Sequence, residues 1–327
     1  MSEKNASPVL ETRHVWKDYH IAGENSLFAK TFHAVEDVSL TVKKGETFGI
    51  VGESGCGKST MARLLMCLEL PDDGEIYFQG QRIDRLPEHA RRKLRPRFQM
   101  VFQDSGSSLN PRKRVQDILS EPMLYHKIGN GKQIDRRVEE LLSMVGLPVE
   151  MKGRYPHEFS GGQRQRICIA RALSLNPDVV VLDEPVSALD VSVQAQILNL
   201  LRELQERLGL TYVFIGHGLG AVHYISHRIA VMYMGRVVEV GTSDELFDHP
   251  AHPYTKALLD AAPAADADAR FRPRTALKGE IDEHPIAGAC PLYHRCPNAG
   301  KGCLSFSGEI EEIAPGHFTV CRKAWEE

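Results

Sequence analysis

Lys58 and Ser59 close a glycine-rich run, GESGCGKST from Gly52 to Thr60, whose residue types suit a nucleotide phosphate. Glycines at 52, 55 and 57 let the backbone turn its amides inward around an anion. Lys58 adds a point charge for the β and γ phosphates, and the Ser59 hydroxyl suits Mg²⁺. Gly52, Ser54, Gly55, Cys56, Gly57, Lys58, Ser59 and Thr60 are therefore read as the nucleotide-contact stretch. A second anion cradle is predicted at Ser160-Gly161-Gly162-Gln163, where a hydroxyl and two glycines open a helical stretch from Arg164 to about Ser174. A chain needs one cradle for its own nucleotide, so the second is expected to grip the γ-phosphate of ATP held by a partner chain. Two adjacent acids complete the set: Asp183 as a partner for Mg²⁺, and Glu184 to polarise a water for attack on the γ-phosphate.

These groups need a scaffold that brings three distant stretches together. The apolar run Phe48 to Val51 predicts a strand before the glycine loop, and Met61, Leu64, Leu65 and Leu68 follow at helical spacing. Val179 to Leu182 reads as a strand buried on both faces, the centre of a parallel sheet. Its acids then fall at the carboxyl end, where open α/β sheets bind ligands. Val138, Leu141, Leu142 and Val145 predict one amphipathic helix, and Ile197, Leu200, Leu201, Leu204 and Leu208 another. A strand from Thr211 to Ile215 and a hairpin at Met234-Gly235 close the fold, a loop near Gly23 to Thr31 interrupts its first strands, and Arg91-Arg92-Lys93 reads as a solvated face.

With these three blocks in this order, the chain resembles the ATPase subunits of ABC transporters from about Val9 to Ala262. The resemblance implies an α/β fold: a P-loop ABC-type nucleotide-binding domain over residues 1–262 with a helical subdomain at about 82–175. It implies that Gln103 touches Mg²⁺ and the attacking water, beside Ser59 and Asp183, and that His217 is the switch histidine near the γ-phosphate. Ser187 to Asp190 would link two active sites, and Tyr19 would stack on adenine, with Trp16 a competitor for that role. In the family an aspartate commonly follows the switch histidine, whereas this chain reads Gly216-His217-Gly218-Leu219-Gly220. The added glycines are expected to loosen the switch loop and slow hydrolysis without removing the imidazole.

The implied partners are a second ABC ATPase subunit, a paralogue by the habit of the branch described below, packed head-to-tail in a two-chain sandwich, and two transmembrane permease subunits. An extracytoplasmic substrate-binding protein would act indirectly. The chain's 327 residues suffice for two units, and a net charge of -3 gives no basic footprint for nucleic acid. No apolar run approaches the roughly 18 residues of a spanning helix, and MSEKNASPVL lacks a signal-peptide core. The expected location is peripheral, on the cytoplasmic face of the inner membrane, with Ser105 to Val115 beside Gln103 forming the groove for a permease helix.

A linker and a small irregular cysteine-rich extension are expected over residues 263–327, where Cys290, Cys296, Cys303 and Cys321 concentrate. Cys56, Cys67 and Cys168 sit in or beside apolar helical segments and read as unligated thiols. In a reducing compartment four clustered thiols point to metal. Their gaps of five, six and seventeen residues do not form zinc knuckles, so spacing alone leaves iron-sulfur, zinc and unligated thiols all open. HPYTKALLDAAP, LKGEI and CPLYHRCP resemble the extension of the oligopeptide, dipeptide and nickel branch of ABC importers, as do LNPRKRV and PVSALDVSVQAQILNLL. That resemblance implies a four-iron, four-sulfur (4Fe-4S) cluster at these four cysteines, with a mainly structural role. It also implies ATP-driven import of peptides first, and of nickel or metal chelates second. A soluble ABC ATPase of DNA repair or translation would usually carry two cassettes, and a redox protein a second redox site.

Overall fold

The computed structural model describes residues 8–21, 30–261, 277–279, 286 and 288–321. Most of the expected loop at Gly23 to Thr31, and most of the linker beyond Ala262, lie outside them.

Among the described residues, twelve strands form two sheets. β1 (Pro8–Ile21), β2 (Lys30–Lys43), β4 (Asp73–Phe78) and β5 (Gln81–Arg82) make an antiparallel sheet in the order β2-β1-β4-β5. The second sheet is built on β3 (Thr47–Val51), β6 (Phe98–Val101), β7 (Val179–Asp183), β8 (Thr211–Ile215) and β9 (Arg228–Tyr233), all parallel. β10 (Arg236–Thr242) returns antiparallel through a turn at Met234 and Gly235, both at positive φ, as the expected hairpin requires. β11 (Glu311–Ala314) and β12 (His317–Thr319) extend that edge, giving the order β11-β12-β10-β9-β3-β8-β7-β6.

All five residues of β7 are buried because each face of the sheet is covered. Val179 and Val181 point toward the antiparallel sheet and α1 (Lys58–Leu65), joining Phe48, Ile50, Met61 and Leu64. Val180 and Leu182 point the other way, into the cluster that holds Ile167, Ile197, Leu201 and Phe214. That second layer follows α2 (Glu88–Leu94) and comprises α3 (Ser105–Ser108), α4 (Val115–Tyr125), α5 (Gly131–Met144), α6 (Gly161–Leu173), α7 (Val191–Leu208) and α8 (Leu219–Ile225). α9 (Ser243–Asp248) and α10 (Pro253–Ala261) complete the helices among the described residues. On α5 the buried positions are Ile134, Val138, Leu141 and Leu142, one face at helical spacing.

Three expectations need adjusting. The stretch 82–175 is not helical throughout, because β6 lies inside it and pairs with β7 in the main sheet. α6 begins at Gly161 rather than Arg164, since Ser160 and Gln163 form a capping box that carries the helix back over both glycines. The C-terminal extension is not irregular throughout: β11 and β12 form a hairpin, and β12 pairs with β10 through Glu239↔Thr319 and Val240↔Phe318.

Candidate functional site

The glycine loop joins the end of β3 to the start of α1, at the carboxyl edge of the parallel strands. Gly57 takes φ of 106°, and a Cβ there would meet the Ala34 carbonyl oxygen at 2.1 Å, so only glycine fits this turn. Lys58 is buried, and its Nζ donates to the carbonyls of Gly52 and Glu53, both at 2.8 Å. Burial first raises the Cys56 thiol pKa, while nearby Lys58 opposes that shift; the thiol is a packing group rather than a reactive one.

Two strand ends supply the acids. Asp183 is buried at the end of β7, and its Oδ1 accepts a hydrogen bond from Ser59 Oγ at 3.2 Å. Burial pushes the Asp183 pKa up, the neighbouring Glu184 charge adds to that, and the Ser59 bond opposes it. Hydroxyl and carboxylate together make a hard oxygen pair of the kind that suits Mg²⁺. Glu184 follows at φ of 47°, a left-handed conformation unusual for a side-chain-bearing residue and costing about 1–2 kcal/mol. Its N–H donates to the Ile215 carbonyl of β8 at 2.9 Å, so the turn is held by the neighbouring strand. The carboxylate is thereby placed between two other strand-end residues. Glu184 Oε2 accepts from Gln103 Nε2 at 2.9 Å and lies 3.3 Å from His217 Nδ1. β6, β7 and β8 thus each deliver one of Gln103, Glu184 and His217 to one point.

The His217 side chain is 59% exposed, and Gly218 is the N-cap of the short α8. With the imidazole on Glu184, the glycine-flanked loop still aims its histidine at the strand ends. Tyr19 lies beside α1: its hydroxyl donates to Glu69 and neighbours the Thr60 hydroxyl. Trp16 instead sets its ring edge-on to His33, with centroids 6.5 Å apart.

Ser160 and Gln163 satisfy one another: Gln163 N–H donates to Ser160 Oγ at 3.3 Å, and Ser160 N–H donates to Gln163 Oε1 at 3.0 Å. Gly162 lets α6 approach α7, since a Cβ there would meet Val193 Cγ1 at 2.5 Å. Asp190, the exposed N-cap of α7, therefore lies near this second cradle. A groove of about 370 Å³, lined by Leu68, Phe98, Met100, Phe102, Ser108 and Arg171 among others, runs beside Gln103.

Four residues that sequence reasoning missed also belong to the loop's surroundings. Arg295, between Cys290 and Cys296, donates from both terminal nitrogens to the Glu53 carboxylate, at 3.1 and 3.3 Å. It also donates to the Tyr233 hydroxyl at 3.3 Å, and the Glu53 N–H donates to the Tyr254 hydroxyl at 2.8 Å. The available signals were an acid inside a phosphate loop and an arginine inside the CPLYHRCP run.

The expected cluster at Cys290, Cys296, Cys303 and Cys321 finds no support in this geometry. Among the described residues no group of three His, Cys, Asp or Glu side chains is set to hold a metal ion, so Cys290, Cys296, Cys303 and Cys321 are not placed as ligands. They are nonetheless neighbours. Cys290 N–H donates to the Cys303 carbonyl at 2.8 Å, and burial, with the charges of Cys303, Cys321 and Cys296, pushes the Cys290 thiol up to about 11. Burial and those charges favour the protonated form of the Cys290 thiol. Cys67 and Cys168 are buried, with pKa values raised to about 12 and about 11 by that burial.

Comparison with known proteins supports the same picture. Residues 35–187 match the ABC transporter family, and residues 238–303 match the oligopeptide/dipeptide transporter C-terminal region. The oligopeptide transport ATP-binding protein AppF of Bacillus subtilis (strain 168) is 49% identical over 98% of this chain and 99% of its own. The dipeptide transport ATP-binding protein DppF of Escherichia coli (strain K12) is 45% identical over 96% of this chain and 94% of its own. Among solved structures, dimeric MJ0796, a bacterial ABC transporter cassette, covers 72% of this chain and 98% of its own at a TM-score of 0.64 and 31% identity.

Proposed function

The chain belongs to the ATP-binding subunits of ABC transporters, in their oligopeptide and dipeptide branch, and from that premise we propose how its residues power peptide import across the cytoplasmic membrane. The observation that carries the reading is the meeting of Gln103, Glu184 and His217 beside the Ser59–Asp183 pair. The loop amides and Lys58 hold the phosphates of ATP. Ser59, Asp183 and Gln103 would hold Mg²⁺, which would supply neutralisation of the phosphate charge. Glu184 orients and deprotonates the attacking water, His217 steadies Glu184 and the γ-phosphate, and Tyr19 stacks on adenine. Ser160, Gly161, Gly162 and Gln163 complete the site of a second ATPase subunit, a paralogue, with the Ser187 to Asp190 turn joining the two sites.

The groove beside Gln103, continued by Ser105 to Val115, receives a short cytoplasmic helix of a permease subunit at the inner face of the membrane. Its exposed Leu68 and Phe102 offer the apolar surface for that contact. Motion of the permease then moves Gln103 against Glu184, one element that both sites bias. Crosslinks from this segment are expected to reach the permease. Uptake of labelled peptides is expected to stop when the chain is deleted; uptake of nickel lost in place of peptides would overturn the substrate.

The four neighbouring thiols support one 4Fe-4S cluster at Cys290, Cys296, Cys303 and Cys321 with a structural role, bracing a segment rich in glycine, proline and charge. Anaerobic purification followed by iron and acid-labile sulfide analysis tests it. Zinc without sulfide would overturn the assignment.

A further inference from the structure

Glu53 is the one acid within Gly52 to Thr60, and each of its polar groups is engaged. Its carbonyl accepts from Lys58 Nζ at 2.8 Å, and its N–H donates to the Tyr254 hydroxyl at 2.8 Å. The carboxylate receives the Arg295 guanidinium in a two-pronged pair at 3.1 and 3.3 Å, across 242 residues of sequence. Arg295 is itself well fixed. Its side chain is 11% exposed, lies with the guanidinium carbon 5.8 Å from the Tyr233 ring centroid, and sits on a turn closed by its N–H to the Leu292 carbonyl at 2.9 Å. The Arg295 carbonyl accepts from Lys278 N–H at 2.9 Å. Planar two-point pairing of this kind fixes orientation as well as charge.

A bare carboxylate in this loop would repel the triphosphate that Lys58 is there to attract. It would also be free to draw Lys58 away from the phosphates. We propose that Arg295 is a positioning residue for ATP binding: by clamping and neutralising Glu53, the C-terminal segment holds the loop that presents Lys58. The inference rests on the reading of Gly52 to Thr60 as the ATP loop. It makes the cysteine-bearing segment part of the nucleotide site's support rather than a remote attachment.

The test is steady-state ATPase kinetics on the full chain assembled with its partner subunits. Arg295→Gln is expected to raise the KM for ATP by about tenfold while kcat stays within about twofold. Arg295→Lys, which keeps the charge and loses the fork, should fall between. Combining Glu53→Gln with Arg295→Gln should restore most of the affinity, because the uncompensated carboxylate is gone. A brace that merely supported folding would not be rescued by removing its second half. An unchanged KM in Arg295→Gln, or a double variant no better than the single one, overturns the proposal. Should Arg295→Gln fail to assemble, Glu53→Gln alone decides: an equal or lower KM supports the proposal and a raised one overturns it. Lys58→Ala is the control for the underlying reading. If it binds ATP like the unaltered chain, that reading falls; if it loses ATP while Arg295→Gln does not, only the role of Arg295 falls.

Discussion

Two glutamate–histidine pairs sit on one sheet and have opposite characters. Glu184 and His217, at the carboxyl ends of the parallel strands, are 3.3 Å apart, with the histidine largely exposed. Glu239 and His317, on the antiparallel edge, are 2.7 Å apart at 0% and 2% exposure. Both oxygens of Glu239 are engaged: Oε1 by the Ala251 N–H and His317 Nε2, each at 2.7 Å, and Oε2 by the His252 N–H at 2.9 Å. Glu184 meets both Gln103 and His217 through one oxygen, Oε2. The saturated pair fixes structure, whereas the loosely held pair keeps a carboxylate available for a reaction. The same two residue types serve either end according to burial and hydrogen-bond count.

The sharpest way to break this comparison is to remove each pair's chemistry and read both activity and stability. Glu184→Gln should lower kcat by about a thousandfold while the unfolding midpoint moves by less than about 1 °C. Unchanged turnover would strip Glu184 of its role. His317→Ala should do the reverse, costing about 3–5 kcal/mol in denaturant unfolding because a buried carboxylate loses a hydrogen-bonded partner. Preserved stability would mean that the edge pair is not what docks the hairpin.

A pH series sharpens the buried side. The hydrogen bond to Glu239 raises the His317 pKa, burial opposes this, and Glu245 at 3.5 Å adds to the rise. Its stabilisation is therefore complete below the ordinary value of about 6.5 and fades as pH climbs through the raised one. His252, buried beside it, is pushed down to about 4 by desolvation, with Glu239 opposing. Its share is complete above about 6.5 and fades as pH falls toward 4, by about 3 kcal/mol at about 1.4 kcal/mol per unit. Unfolding free energy should peak near pH 6.5, with the alkaline decline absent in His317→Gln and the acid decline reduced in His252→Gln. The smallest expected effect belongs to the exposed pair: His217→Ala should lower kcat about tenfold with stability unchanged. A loss of stability there would erase the contrast between the two pairs.

What sequence reasoning reached divides along the same line. The phosphate loop, the buried strand and α6 were legible because each is local: a glycine spacing, a run of four valine and leucine residues, a serine and two glycines at a helix start. The meeting of Gln103, Glu184 and His217 followed from resemblance, since the three lie on separate strands. Arg295 against Glu53 and His317 against Glu239 were not legible. Each pair joins single side chains 242 or 78 residues apart, and no periodicity marks either. β12 escaped for a related reason, since three residues are too few for an alternating pattern to register.

The pairing of β12 with β10 also sets an order of events during synthesis. β10 forms its hairpin with β9 from residues made almost together, yet Glu239 waits for His317, 78 residues later. At ribosomal speeds of 5–20 residues per second, that interval is on the order of ten seconds. Throughout it, the β10 edge lacks its neighbour strand, and Glu239 has the Ala251 and His252 N–H groups but not His317 for partners. A glutamate on an unpaired strand edge is the kind of residue that deters strand addition by neighbouring chains, a temporary guard that His317 retires when it arrives.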